Sequence, residues 1–267
     1  MNTDALDLTI LGPALLAGLL VLTTHVPLGR QVLKRGIIFI DLAIAQAAGL
    51  GVIAAGVAGW DPHGLNAQVA AVCAAIAGAS FLAWTDSLFG EVQEAIIGVF
   101  FVLCATGGLL LLANNPHGGE ELKDLLVGQI LWVDIHNLLP AAIVSVVVVG
   151  LWFTMRHKLG RPGFYLLFAV SVTVSVQLVG VYLVFASLIV PALATRRLSD
   201  ASGLMLAYGI GLVGYFVGLI GSALFDLPTG AVIVWTLAIA GIAAGFTVAR
   251  AVTRQPLTAV PRASPES

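Results

Sequence analysis

Charge is scarce in this chain. Only 10% of its 267 residues are Asp, Glu, Lys or Arg, whereas soluble proteins average about 25%. With 59% hydrophobic residues and a mean hydropathy of +1.03, there is too little polar surface to coat a globule in water. The expected solvent is a bilayer. The net charge of −2 argues against a nucleic-acid partner. Cysteine is nearly absent too. Cys73 and Cys104 both sit inside apolar runs, which favours packing over a disulfide or a metal site. The N-terminus lacks the basic n-region of a secretory signal, so the first apolar run is expected to stay as a membrane span. No GxxxxGK[ST] phosphate loop occurs, so ATP is not bound by that device. Ser80 lies in an apolar run with no histidine placed as its base, which argues against a hydrolase. No row of carboxylates suggests a proton relay, and no soluble domain is visible.

What remains is a series of apolar runs. A spanning helix needs about 20 apolar residues. The runs predict spans over Leu8–Leu28, Ile37–Gly59, Leu65–Thr85, Ala95–Ala113, Asn137–Met155, Gly163–Val181, Tyr182–Thr195, Gly203–Ser222 and Gly230–Ala249. The fold class is an all-α polytopic membrane protein of about nine transmembrane helices, one of them short. Lys and Arg favour the cytoplasmic side. With the N-terminus outside and the C-terminus cytoplasmic, eleven of the twelve Lys and Arg residues fall inside, and only Lys123 falls outside. That count requires the long run 163–195 to go out and come back, with Gly180 and Pro191 as places to bend it. Residues 1–252 form the transmembrane domain. The Pro/Ser-rich stretch 253–267 reads as a disordered cytoplasmic tail.

Leu122–Trp132, LKDLLVGQILW, is too short to span. It reads either as a half-helix dipping in from outside, of the kind that lines transport paths, or as an amphipathic helix on the surface.

Polar residues inside apolar runs are the candidate functional groups. Asp41 and Gln46 lie in FIDLAIAQAAGLG. At 100° per residue they point about 140° apart. Asp41 could line a path, pair with Arg35 or cap a helix. Gln46 could line the same path or glue small-residue helices together. Gln177, in the middle of the sixth span, could share a cavity with Gln46. Asp61, His63, Gln129, Asp134 and His136 would make an acidic, His-bearing outer mouth that gathers cations. One His and one Asp are too few for a zinc cage there.

Five segments, in order, resemble the permease subunit of bacterial metal-ion ABC importers, the family that brings in zinc, manganese or iron. They are GRQVLKRGIIFIDLAIAQAAGLGV; EAIIGVFFVLCATGGLLLLA with Glu94 and Gly98; DLLVGQILWVD with Gly128; LVGVYLVFASLIVPALATRRLSD with Gly180, Pro191 and Arg196–Arg197; and FDLPTGAVIV with Asp226, Pro228 and Gly230. The resemblance spans residues 15–250. It implies a homodimer in the inner membrane with a metal path at the subunit interface. A periplasmic or lipoprotein metal-binding protein would dock outside and an ABC ATPase inside. No cofactor is held permanently, ATP acts only through the partner, and the chain itself is no enzyme. The cargo is a divalent metal, zinc or manganese.

Two departures stand out. Gln46 falls where the family carries a histidine, and an amide is a far weaker zinc ligand than imidazole. The inner loop before the sixth span is only RHKLGRP, Arg156 to Pro162, too short for the family's coupling helix. ATPase contact then falls to Arg156, Lys158, Arg161, Arg196 and Arg197. An ATP-independent, cation-coupled transporter of similar fold and a non-transporting membrane scaffold are the alternatives.

Overall fold

The structure is a computed structural model that describes residues 8–61, 64–113, 115, 118–155 and 158–253. Its ten helices are α1 (Leu8–Arg35), α2 (Ile40–Val57), α3 (Leu65–Phe89), α4 (Gln93–Leu112), α5 (Gly118–Val127), α6 (Ile135–Met155), α7 (Gly160–Val179), α8 (Val181–Ala194), α9 (Asp200–Phe225) and α10 (Thr229–Thr253). Short 3₁₀ turns at Gly90–Val92 and Ile130–Trp132 precede α4 and α6. No strand occurs among the described residues. All the helices except α5 and α8 are long and apolar enough to cross a bilayer, α3 and α4 forming one continuous apolar stretch. The seventh span, α8, has 14 residues, about 21 Å at 1.5 Å per residue, against about 30 Å of hydrocarbon.

Small residues let the helices approach closely. Ala67, Ala71, Ala75 and Ala79 form a fully buried stripe on α3 that packs against α2, itself rich in Ala and Gly. Across the bundle, α9 packs on α10, where the Thr236 hydroxyl donates 2.7 Å to the Gly214 carbonyl. Such seams replace the hydrophobic drive that is missing in lipid.

The basic segment after the first span is not a loop. α1 continues through Pro27 and Gly29 to Arg35, 28 residues in all. Proline removes one intrahelical bond and leaves the Thr23 carbonyl without its usual donor. The Tyr208 hydroxyl of α9 supplies one at 3.1 Å. A neighbouring helix thus repairs the break, and the basic residues ride on helix rather than coil.

The run 163–195 divides at Gly180, within two residues of the expected point. α8 runs on through Pro191. Contacts give the two pieces opposite directions. Phe164, near the start of α7, lies under Arg35 at the end of α1, 4.2 Å from guanidinium to ring. Thr195, just past α8, bonds to Arg30 of the same α1 end. One end of the bundle therefore collects Arg30, Lys34, Arg35, Arg161, Arg196 and Arg197; Lys123 lies on α5.

Candidate translocation path

Glycines bring α5, α7, α8 and α10 together. Gly180 closes α7 and opens α8 with φ 82° and ψ 163°, a region open essentially to glycine alone. Gly128, between α5 and the second 3₁₀ turn, has φ 70°. The two back onto each other. A Cβ on Gly128 would strike the backbone of Val179 and Gly180, and one on Gly180 would strike Val127 and Gly128. A Cβ on Gly230, at the start of α10, would lie 2.8 Å from the Val127 carbonyl. Three glycines some fifty residues apart in sequence thus meet in one knot. The knot docks α5 against the bundle, where it touches α4, α7 and α8, and Leu122, Leu125 and Leu126 are half-buried. α5 is therefore a half-helix packed into the protein, ending at Gly128 rather than continuing to Trp132.

Beside the knot, Gln46 lines a cavity of about 10 Å³ between α2, α4, α5 and the first residue of α8, Val181. That volume holds about one water. Among the lining side chains only Gln46 and Cys104 carry a polar atom, the rest being Ala, Gly, Val, Leu or Ile. Sequence reasoning treated Cys104 as packing. Its position against Gln46 depends on the register of α4 on α2, which no local signal reveals.

Asp41 does not share this cavity. It is 1% exposed, and neither carboxylate oxygen has a hydrogen-bond partner. It makes no pair with Arg35, whose guanidinium lies instead over Phe164 with Nη1 unbonded. A buried polar group without a partner is expensive and rare. Gln177 is exposed within the buried second half of α7 and lies outside the Gln46 cavity. Within one chain, the three polar candidates stand apart.

Glu94 has a structural task that its spacing to Gly98 did not reveal. Its Oε1 accepts the Phe39 backbone N–H at 3.2 Å. Phe39 precedes α2 and provides no side-chain cap. A carboxylate from α4 thus caps the N-terminus of α2, where anions are favoured. Gly98 faces open space.

At the end opposite the basic cluster, Asp61, Gln129 and Asp134 are exposed. His63 lies outside the described residues, as does Arg156, and the side chain of His136 is likewise not described. Among the described residues no three of His, Cys, Asp and Glu gather to hold a metal. Asp226 caps α9 with φ 50°, a left-handed position that Asp tolerates. The turn through Pro228 is fixed by the Ser222 hydroxyl, which donates to the Leu227 carbonyl and lies 2.6 Å from the Thr229 hydroxyl. Arg161 lies 3.7 Å from the Asp86 carboxylate. Pro191 sits inside α8, where its carbonyl accepts from the Thr195 hydroxyl at 2.8 Å. Lys158 lies in the turn between α6 and α7.

The ABC 3 transport family model matches residues 7–164 and 161–247. A zinc uptake system membrane protein, ZnuB of Haemophilus influenzae, is 23% identical over 83% of this chain and 91% of its own length. A manganese transport system membrane protein, MntC of Listeria innocua, is 27% identical over 78% of this chain and 79% of its own. Among solved structures, PsaBC from Streptococcus pneumoniae superposes with a TM-score of 0.73 at 20% identity, covering 91% of this chain and 95% of that one. The chain belongs to the ABC 3 transport family.

Proposed function

We propose that this member of the ABC 3 transport family is the membrane permease subunit of an importer of divalent metal ions, zinc or manganese. It acts as a homodimer in the bacterial inner membrane, with an ABC ATPase at the basic end and a periplasmic or lipoprotein metal-binding protein at the other. ATP is consumed only by the partner, and the chain moves its cargo without covalent chemistry or a resident cofactor. The names of the relatives include zinc, manganese and iron transport systems, which supports a metal-ion cargo.

The observation that carries the reading is the family match laid over a nine-span bundle whose sixth and seventh spans, α7 and α8, break at a glycine knot beside the Gln46 cavity. A cavity with room for about one water is closed to through-flow. Cargo then passes only when α5, α7 and α8 shift about the knot, which is alternating access. Gln46 offers a neutral, weak site suited to passage rather than storage. Asp41 and Gln177 belong to the same path in another arrangement of the helices or at the subunit interface. Asp61, His63, Gln129, Asp134 and His136 form the entry mouth. Arg156, Lys158, Arg161, Arg196 and Arg197 are the ATPase contacts in this reading.

The test is purification of the native complex in mild detergent, with uptake of radioactive zinc and manganese in cells. A stoichiometric ATPase and ATP-dependent uptake are expected. The second reading is an ATP-independent carrier of the same fold, favoured by the short link between α6 and α7, which end and start at Met155 and Gly160. An intact dimer that transports without an ATPase would select it.

A further inference from the structure

The turn between α8 and α9 is held by one buried side chain. Arg30 of α1 is 8% exposed. Its Nη1 donates to the Thr195 carbonyl at 3.3 Å and to the Thr195 hydroxyl at 3.0 Å. Its Nη2 donates to the carbonyls of Leu198 at 3.3 Å and Ser199 at 3.2 Å. The Asp200 carboxylate lies 3.5 Å from Nη2 and 2.7 Å from the Lys34 ammonium. A Cβ on Gly203 would overlap the guanidinium, so the first turn of α9 is shaped around it. Only a planar fork of five donors can serve this many acceptors at once, which lysine cannot do.

The turn so fixed presents Arg196 and Arg197, both exposed. Arg196 bonds the Leu193 carbonyl at 3.0 Å. Arg197 has no hydrogen bond or ion pair among the described residues. Asp200, the one acid within 195–200, is already paired to Lys34 and Arg30, so the face is left cationic. Arg161, another exposed candidate, already gives its guanidinium to the carboxylate and carbonyl of Asp86, and Lys158 is exposed in the turn between α6 and α7.

The geometry points to Arg30 as a positioning residue. It holds the α8–α9 turn as a preformed cationic dock for carboxylates of the ATPase subunit, and it ties motion of that dock directly to α1. This rests on the importer reading above. Backbone carbonyls are most of what Arg30 holds, so it fixes where the turn lies rather than which residues it shows. α1 also packs on α6, α7 and α8, so a push at the turn reaches both halves of the broken helix.

The test uses the permease dimer in nanodiscs and the ATPase subunit that co-purifies with the wild-type chain. Affinity for that subunit and the rate of ATP hydrolysis are measured for Arg30→Gln, Arg30→Lys, Arg197→Gln and the double variant Arg30→Gln/Arg197→Gln. Arg30→Gln and Arg197→Gln should each weaken ATPase binding on the order of tenfold. The double variant should be little worse than either, because both act through one contact. Arg30→Lys should stay defective, since it keeps the charge and loses the fork. Thr195→Val removes one acceptor, should shift affinity the same way by a smaller factor, and serves if Arg30→Gln does not fold. Fully additive losses, rescue by lysine, or wild-type affinity in a folded Arg30→Gln would overturn the proposal. A wild-type chain that binds no ATPase would sink the importer reading, and the dock with it.

Discussion

The two ends of α8 are held by opposite means. At Gly180 the hold is steric: backbone lies on the backbone of Gly128, with no side chain between them. At Thr195 the hold is directional, a fork of hydrogen bonds from Arg30. Steric contact between glycines tolerates sliding but no added bulk. A hydrogen-bonded clamp tolerates neither sliding nor loss of an atom. A helix fixed at one end and able to slip at the other is a lever, and the cavity beside Gln46 lies at the slipping end.

The largest effect should come from bulk at the knot. Gly180→Ala places a Cβ against Val127 and Gly128 at φ 82°. The strain and the overpacking together should lower stability by about 3 kcal/mol or more. Thermal melting in detergent and the yield of folded dimer would show it. A normal melt would mean that the knot opens readily, and the steric half of the contrast would fall.

Next comes loss of the fork. Arg30→Ala leaves the turn carbonyls of Thr195, Leu198 and Ser199 to find water, while the Thr195 hydroxyl keeps its bond to the Pro191 carbonyl. A loss of about 2 kcal/mol is expected, read as a lower melting temperature. An unchanged melt would mean that water replaces the fork without penalty, and both ends of α8 would then be loose.

The polar groups of α2 should behave in the reverse way. Asp41 is buried and unbonded, so Asp41→Asn removes no hydrogen bond seen here. Uptake of zinc should fall about tenfold while the melt holds or rises by about 1 kcal/mol equivalent. A melt that falls as in Arg30→Ala would reveal a structural partner for Asp41. Gln46→Ala should reduce uptake by a smaller factor, roughly threefold, because an amide is a weak ligand to lose. Unchanged uptake in both variants would remove the polar path.

What the sequence made legible follows the same division. Span number and the split at Gly180 were readable because charge asymmetry and glycine both act locally. The family motifs marked Gly128, Gly180 and Gly230 singly, yet their meeting needs α5 to fold back into the bundle. The Arg30 clamp was not readable. Its partners lie 165 to 169 residues away and are mostly backbone carbonyls, which leave no side-chain signature. Pro27 and Gly29 also read as the end of a helix, although Tyr208 restores what Pro27 removes. Cys104 reads as packing in the sequence, because one thiol in an apolar run gives no other signal until α2 lies beside it.

The smallest effect separates the two kinds of bond within the clamp. Asp200 is 73% exposed as a side chain, and its contacts to Lys34 and Arg30 are ion pairs at the water boundary. Exposed pairs gain little, because water and salt screen them and two long side chains lose freedom. Asp200→Asn should therefore melt within error of the wild type, at low and at high salt alike. The buried bonds from Arg30 to Thr195, Leu198 and Ser199 remain in that variant, and they carry the hold. If Asp200→Asn instead melted as low as Arg30→Ala, the ion pair would be the fastening and the carbonyl bonds its by-product. The dock would then loosen with rising salt. A clamp made of backbone bonds keeps its grip across that range, so a salt series on one variant decides which of the two holds the basic end of α8 in place.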